Sequence, residues 1–152
     1  LTIKISAQLL AKGLMPASGV QRATTYGAVT TTTRGAQLDP GATVNTKGAW
    51  VQLIASTTNP MRLISLLSGK DITNAVDAFR WAVDIGVGAA GSEVVVIPDL
   101  AFMMTASKVY GTSNYCRLPI NIPAGTRLAA RTQCSNNTAT ERILDLVVIG
   151  HD

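Results

Sequence analysis

Gly86-Val-Gly88-Ala-Ala-Gly91 has the G-x-G-x-x-G spacing that lets a backbone close around a pyrophosphate, and it follows a strand-like run. Dinucleotide binding also needs a helix whose first amides hold the phosphates, and an acidic residue roughly 20 positions on for the ribose. Here the glycines run into Ser92-Glu-Val-Val-Val-Ile-Pro98, which is β-branched, ends in proline and is followed by no carboxylate near that distance. The spacing is therefore read as a glycine-rich connection between strands, with no cofactor.

Three carboxylates, Asp84, Glu93 and Asp99, flank that loop. Two such groups about 5 to 10 Å apart are the requirement for glycoside hydrolysis. Carboxylates at strand ends more commonly accept hydrogen bonds from turn amides or pair with arginine, and that is the expectation here. The one histidine, His151, stands beside the C-terminal residue, so the chain lacks an obvious base for a nucleophile and is expected not to be an enzyme. Cys116 and Cys134 are placed opposite one another if residues 117 to 133 form a hairpin about Gly125. A disulfide and a pair of small buried thiols are the two readings. A zinc site needs about four ligands, so these cysteines are not expected to hold metal.

The elements that would carry these groups are short apolar runs separated by Gly, Pro and Asn. Candidate strands are 50–56, 61–67, 79–87, 93–97, 117–122, 126–133 and 143–149, the pattern of an all-β sandwich or barrel. In 79–87 the two-residue period places Trp81, Val83, Ile85 and Val87 on one face and Arg80, Ala82 and Asp84 on the other. Trp81 is predicted to anchor the core. In 117–133 the same period puts Arg117, Arg127 and Arg131 in one polar row, either solvated, paired with Asp84 and Asp145, or facing an acidic partner. Residues 99–110 lack alternation and are read as a helix or irregular loop.

Residues 1–48 differ from the rest. Gly, Pro and Thr punctuate them, four successive threonines favour extended backbone, and the stretch is read as an N-terminal arm on a body spanning 49–152. Within the arm, Ile3, Ala7, Leu10 and Leu14 share one face of a short amphipathic helix, although Ile3-Lys-Ile5 also alternates like a strand.

Composition narrows the function classes. The 152 residues are 47% apolar, enough for one domain with a real core, and 14% charged, far below the roughly 25% of an average chain. A weakly charged surface suits a protein that buries much of itself against partners. The longest charge-free stretch, Gly48 to Met61, has 14 residues, so no membrane span is expected. No secretory signal opens the sequence, and synthesis in the cytoplasm is expected. The net charge of +4 arises in the first 49 residues, where Lys4, Lys12, Arg22, Arg34 and Lys47 face Asp39 alone. These cations are dispersed and interleaved only with Tyr26, which argues against direct nucleic-acid binding.

Trp50-Val-Gln-Leu-Ile-Ala-Ser-Thr57, Val83-Asp-Ile-Gly-Val-Gly-Ala-Ala-Gly-Ser-Glu-Val-Val-Val-Ile-Pro-Asp-Leu100 and Leu118-Pro-Ile-Asn-Ile-Pro-Ala-Gly-Thr-Arg-Leu-Ala-Ala-Arg131 resemble small virion proteins of tailed bacteriophages, β-sandwich domains of the capsid decoration (cement) kind. The resemblance covers residues 49–150. It implies a jelly-roll-like body, commonly a homotrimer, on the outside of the phage head, where it joins neighbouring major capsid proteins against the pressure of packaged DNA. The partners it implies are the major capsid protein and further copies of the chain. Lys4, Lys12, Arg22, Arg34, Arg117, Arg127 and Arg131 are then the candidates for contact with an acidic shell. The alternative is the head of a phage fibre or baseplate that binds a receptor or glycan, with Tyr110 and Tyr115 as its stacking residues.

Overall fold

The computed structural model describes residues 23–26, 35–69, 79–104, 114–138 and 142–152. They form an all-β sandwich of two antiparallel sheets. Strands β1 (Ala23–Tyr26) and β2 (Ala36–Leu38) both pair with β9 (Leu144–His151), which pairs with β4 (Met61–Gly69), which pairs with β7 (Asn114–Ile122). The second sheet has the order β3 (Val51–Ile54), β8 (Leu128–Cys134), β5 (Phe79–Val87), β6 (Val94–Met104).

Period-two alternation builds the core between them. On β5, Phe79, Trp81, Val83 and Ile85 are at most 1% exposed, so the predicted face of this strand holds. Across the interface β4 contributes Ile64 and Leu66, and β9 contributes Leu144, Leu146 and Val148. Each such side chain withdrawn from water stabilises the fold by roughly 1.5–3 kcal/mol. The Trp81 indole also needs a partner for its N–H, and it donates to the Arg142 carbonyl at 2.7 Å.

Three expectations are corrected. The boundary at residue 49 does not separate an arm from a body for the described residues. Tyr26 and Leu38 face inward opposite Val148 and Leu144, are 2% and 1% exposed, and belong to the core. Their strands cover an edge of β9 that would otherwise present unpaired amides and carbonyls.

Residues 117–133 do not form a hairpin. Strand β7 lies in the five-stranded sheet and β8 in the other, so the intervening turn crosses between sheets. Buried Thr57 holds that crossing in place. Its Oγ1 donates to the Pro123 carbonyl at 2.9 Å and accepts from the Thr126 amide at 3.0 Å, while its backbone bonds Gly125 and Thr126. Cys116 accordingly stands beside Leu66 and Cys134 beside Trp81, and no disulfide joins them.

Residues 99–104 are neither helix nor loop but the end of β6. Ile97 pairs with Ile85 and Leu100 with Val83, so Pro98 and Asp99 together oppose Asp84 in a β-bulge, with Asp99 at a φ of 49°. The extra residue resets the alternation. Phe102 then faces the core while Ala101 and Met103 face out.

Candidate interaction surface

The outer face of the four-stranded sheet collects the charged residues. Asp84 on β5 is 4% exposed, and both of its oxygens are engaged. Lys47 Nζ donates to Oδ1 at 2.7 Å, the Asp99 amide donates to the same oxygen at 2.9 Å, and Arg131 Nε donates to Oδ2 at 2.9 Å. Lys47 reaches there because its segment runs along β8, with the Gly48 amide on the Thr132 carbonyl at 2.9 Å. The lysine also pairs with the Asp99 carboxylate at 2.8 Å and donates to the Ala82 carbonyl at 3.0 Å. Burial works to raise the Asp84 pKa, but the Asp99 amide, Lys47 and Arg131 outweigh it and hold the carboxyl below its ordinary value. An aspartate kept ionised in this way is a poor proton donor and a good anchor.

Arg131 in turn lies over the Trp50 ring, 4.6 Å from its centroid, a cation–π contact. The indole needs room on the sheet, which Gly86 provides: a β-carbon there would stand 2.6 Å from Trp50 Cη2. The glycine of the G-x-G-x-x-G spacing thus serves the packing of a tryptophan. The same loop leads directly into β6, as its reading as a strand connection requires, with Gly88 and Gly91 at φ values of 111° and 81°.

A second clamp sits at the start of β6. Arg127 Nη1 donates to Glu93 Oε1 at 2.8 Å and to the Gly88 carbonyl at 3.1 Å, and its Nε donates to Gln52 Oε1 at 2.9 Å. Glu93 Oε2 accepts from the Gly91 amide at 2.9 Å. Desolvation works to raise the Glu93 pKa, and its hydrogen bonds with backbone amides and Arg127 bring it below the usual range.

Between these clamps lie Val94, Val95 and Val96, exposed by 64%, 36% and 38%. Further along the same strand Met103 is 53% exposed. Among the described residues strand β6 is an edge, paired with β5 alone. The bulge and Pro98 interrupt its free backbone ladder, so this edge offers apolar side chains to a partner more than a run of hydrogen bonds. Ion pairs at residues 93 and 99 flank these valines on either side.

The three arginines of the expected row are not brought together. Arg127 and Arg131 are components of the two clamps, and the pairing of Arg131 with Asp84 is one of the readings their sequence allows. Arg117 is exposed on β7, in the other sheet, opposite Ser65. Tyr115 is a residue of β7 paired with Leu67, while Tyr110, Lys4, Lys12, Arg22 and Arg34 lie outside the described residues. Sequence reasoning grouped Lys47 with the arm and left the valines as an ordinary strand. Three consecutive valines after a glycine loop and before Pro98 were the available signal.

Among the described residues no cluster of three His, Cys, Asp or Glu is placed to hold a metal ion, and no helix is long and apolar enough to cross a membrane. The chain matches no protein-family model, no curated protein and no solved structure.

Proposed function

We propose that this protein is a structural partner-binding domain of the phage head-decoration kind, a homotrimer that binds the outside of the icosahedral shell and joins neighbouring major capsid proteins. The observation that carries the reading is the clamped apolar segment Val94–Val96 on a body whose charges are largely neutralised internally. The resemblance of residues 49–150 to such virion proteins gives the partner its identity. Exposed contiguous apolar side chains on a soluble domain mark contact sites, and burying them across a capsomer seam adds the area that resists separation.

The test is co-sedimentation of the full chain with phage heads that lack it. Saturable binding is expected, together with greater resistance of the heads to heat. The variant Val94→Lys, at the most exposed of the three valines, is expected to weaken binding about tenfold, or 1.4 kcal/mol, without changing the melting temperature. Binding to host cells with none to heads would replace this reading with a receptor-recognising module. Unaltered binding of Val94→Lys would remove the valines from the contact.

A further inference from the structure

Strand β7 ends the five-stranded sheet, and among the described residues it pairs with β4 alone. Its inward side chains Cys116, Leu118 and Ile120 pack against the core yet stay half-buried, whereas Ile64 and Leu66 on the neighbouring β4 are 0% exposed. The difference is coverage, because among the described residues no strand beyond β7 completes the layer. Such an edge also keeps amides and carbonyls that a further strand could pair.

Alternation turns Arg117 to the outer face of β7, where it is exposed opposite Ser65. Arg62 lies on the same side. Its Nη1 reaches Asn121 Oδ1 at 3.4 Å, and Asn121 is four residues, roughly 13 Å, beyond Arg117 along the strand. Elsewhere the charges are matched: Asp39, Asp84, Glu93 and Asp99 each pair with a lysine or arginine. Among the described residues neither Arg62 nor Arg117 has a carboxylate partner.

We propose that the β7 edge takes up an extended segment of another protein as an added strand, with acidic side chains four residues apart on one face and apolar side chains on the other. The two-residue period of a strand makes both halves of that pattern fit at once. Its apolar side chains cover Cys116, Leu118 and Ile120, and its acidic ones lie beside Arg117 and Arg62, while main-chain bonds along the edge supply affinity. Pro119 has no amide hydrogen to give, so the unbroken part of the ladder is Asn114–Leu118 and the two ion pairs fix the register. The charges also select against a second copy of this chain. Edge-to-edge pairing of two β7 strands would bring the arginines of both copies together, and like charges across a strand pair are destabilising. This contact lies on the other sheet from Val94–Val96 and does not rest on the partner proposed for those valines.

The probe is a fluorescein-labelled peptide, Ser-Glu-Val-Thr-Val-Glu-Val-Ser, titrated with the full-length protein at low ionic strength and followed by anisotropy. Saturable binding is expected. The same peptide with both glutamates replaced by lysine is expected to bind about tenfold more weakly, since two attractive pairs become repulsive. In the full-length variant Arg117→Glu, whose folding is verified by circular dichroism, the preference for the acidic peptide is expected to vanish. Hydrogen exchange of the amides in 114–118 should slow when the acidic peptide is bound. Absence of saturable binding, equal affinity for the two peptides, a preference that Arg117→Glu leaves intact, or protection confined to another strand would each overturn the proposal.

Discussion

Lys47 Nζ lies 2.7 Å from Asp84 Oδ1, across a separation of 37 residues in the chain. The contact ties the segment that precedes β3 to the middle of β5. Through the Asp99 amide and carboxylate it also fixes the bulge of β6. One buried carboxylate thus organises four chain segments, counting Arg131 on β8.

Asp84→Asn tests this organisation. The amide cannot accept from three donors as the carboxylate does, and Lys47 and Arg131 lose their shared counter-charge. Breaking a fully buried pair costs roughly 3–5 kcal/mol, but Lys47 and Arg131 remain in reach of water, so a loss of about 2 kcal/mol is expected. Urea unfolding measures it. A midpoint equal to that of the native chain would mean that the cluster contributes no stability.

Acid should act through the same groups. The Asp84, Glu93 and Asp39 carboxyls are all held below their ordinary values, the last by paired hydrogen bonds from Arg142 and by the Gly41 amide. A depressed folded pKa means that the unfolded chain binds more protons. The resulting stability is therefore complete above the unfolded values of about 4 and is lost as pH falls through the folded ones. Unfolding midpoints are expected to be level between about pH 5 and 7 with respect to these groups and to fall below about pH 4. The fall should be shallower in Asp84→Asn, and identical acid limbs for the two proteins would contradict the assignment.

Trp81→Ala should destabilise the protein by roughly 3–5 kcal/mol through the cavity it leaves. Trp81 is 1% exposed, and its removal also deprives the Arg142 carbonyl of a donor. Chemical denaturation is again the measurement, and a cost under about 1 kcal/mol would show that the surrounding Phe79 and Cys134 side chains collapse into the space.

The β-sandwich class and the inward face of β5 were legible in the sequence because a two-residue period is a property of neighbours along the chain. Trp81, Val83 and Ile85 declare their side by spacing alone. The bulge at Pro98–Asp99 hid the end of β6, because one inserted residue reverses every later side chain, and Leu100 and Phe102 then no longer match the phase of Ile97. The Arg131–Asp84 pair was legible as chemistry, whereas Lys47 was not, since its partner is chosen by where its segment runs beside β8.

What the chain determines by itself is local: the alternation that makes strands, the β-branched runs, and the Gly and Pro positions that end them. Which strand pairs with which was decided only in the tertiary structure. Pro123-Ala-Gly-Thr126 has the residues of a hairpin turn, yet Thr57 pins it as a crossing between sheets, separating Cys116 from Cys134 and Arg117 from Arg127. The same holds at the other end of the chain, where Tyr26 and Leu38 joined the core because β9 had an edge to cover and space beside Val148 and Leu144 to fill. Pairing is selected by the total surface buried and the backbone groups satisfied across the whole sandwich, and no window of neighbouring residues contains that sum.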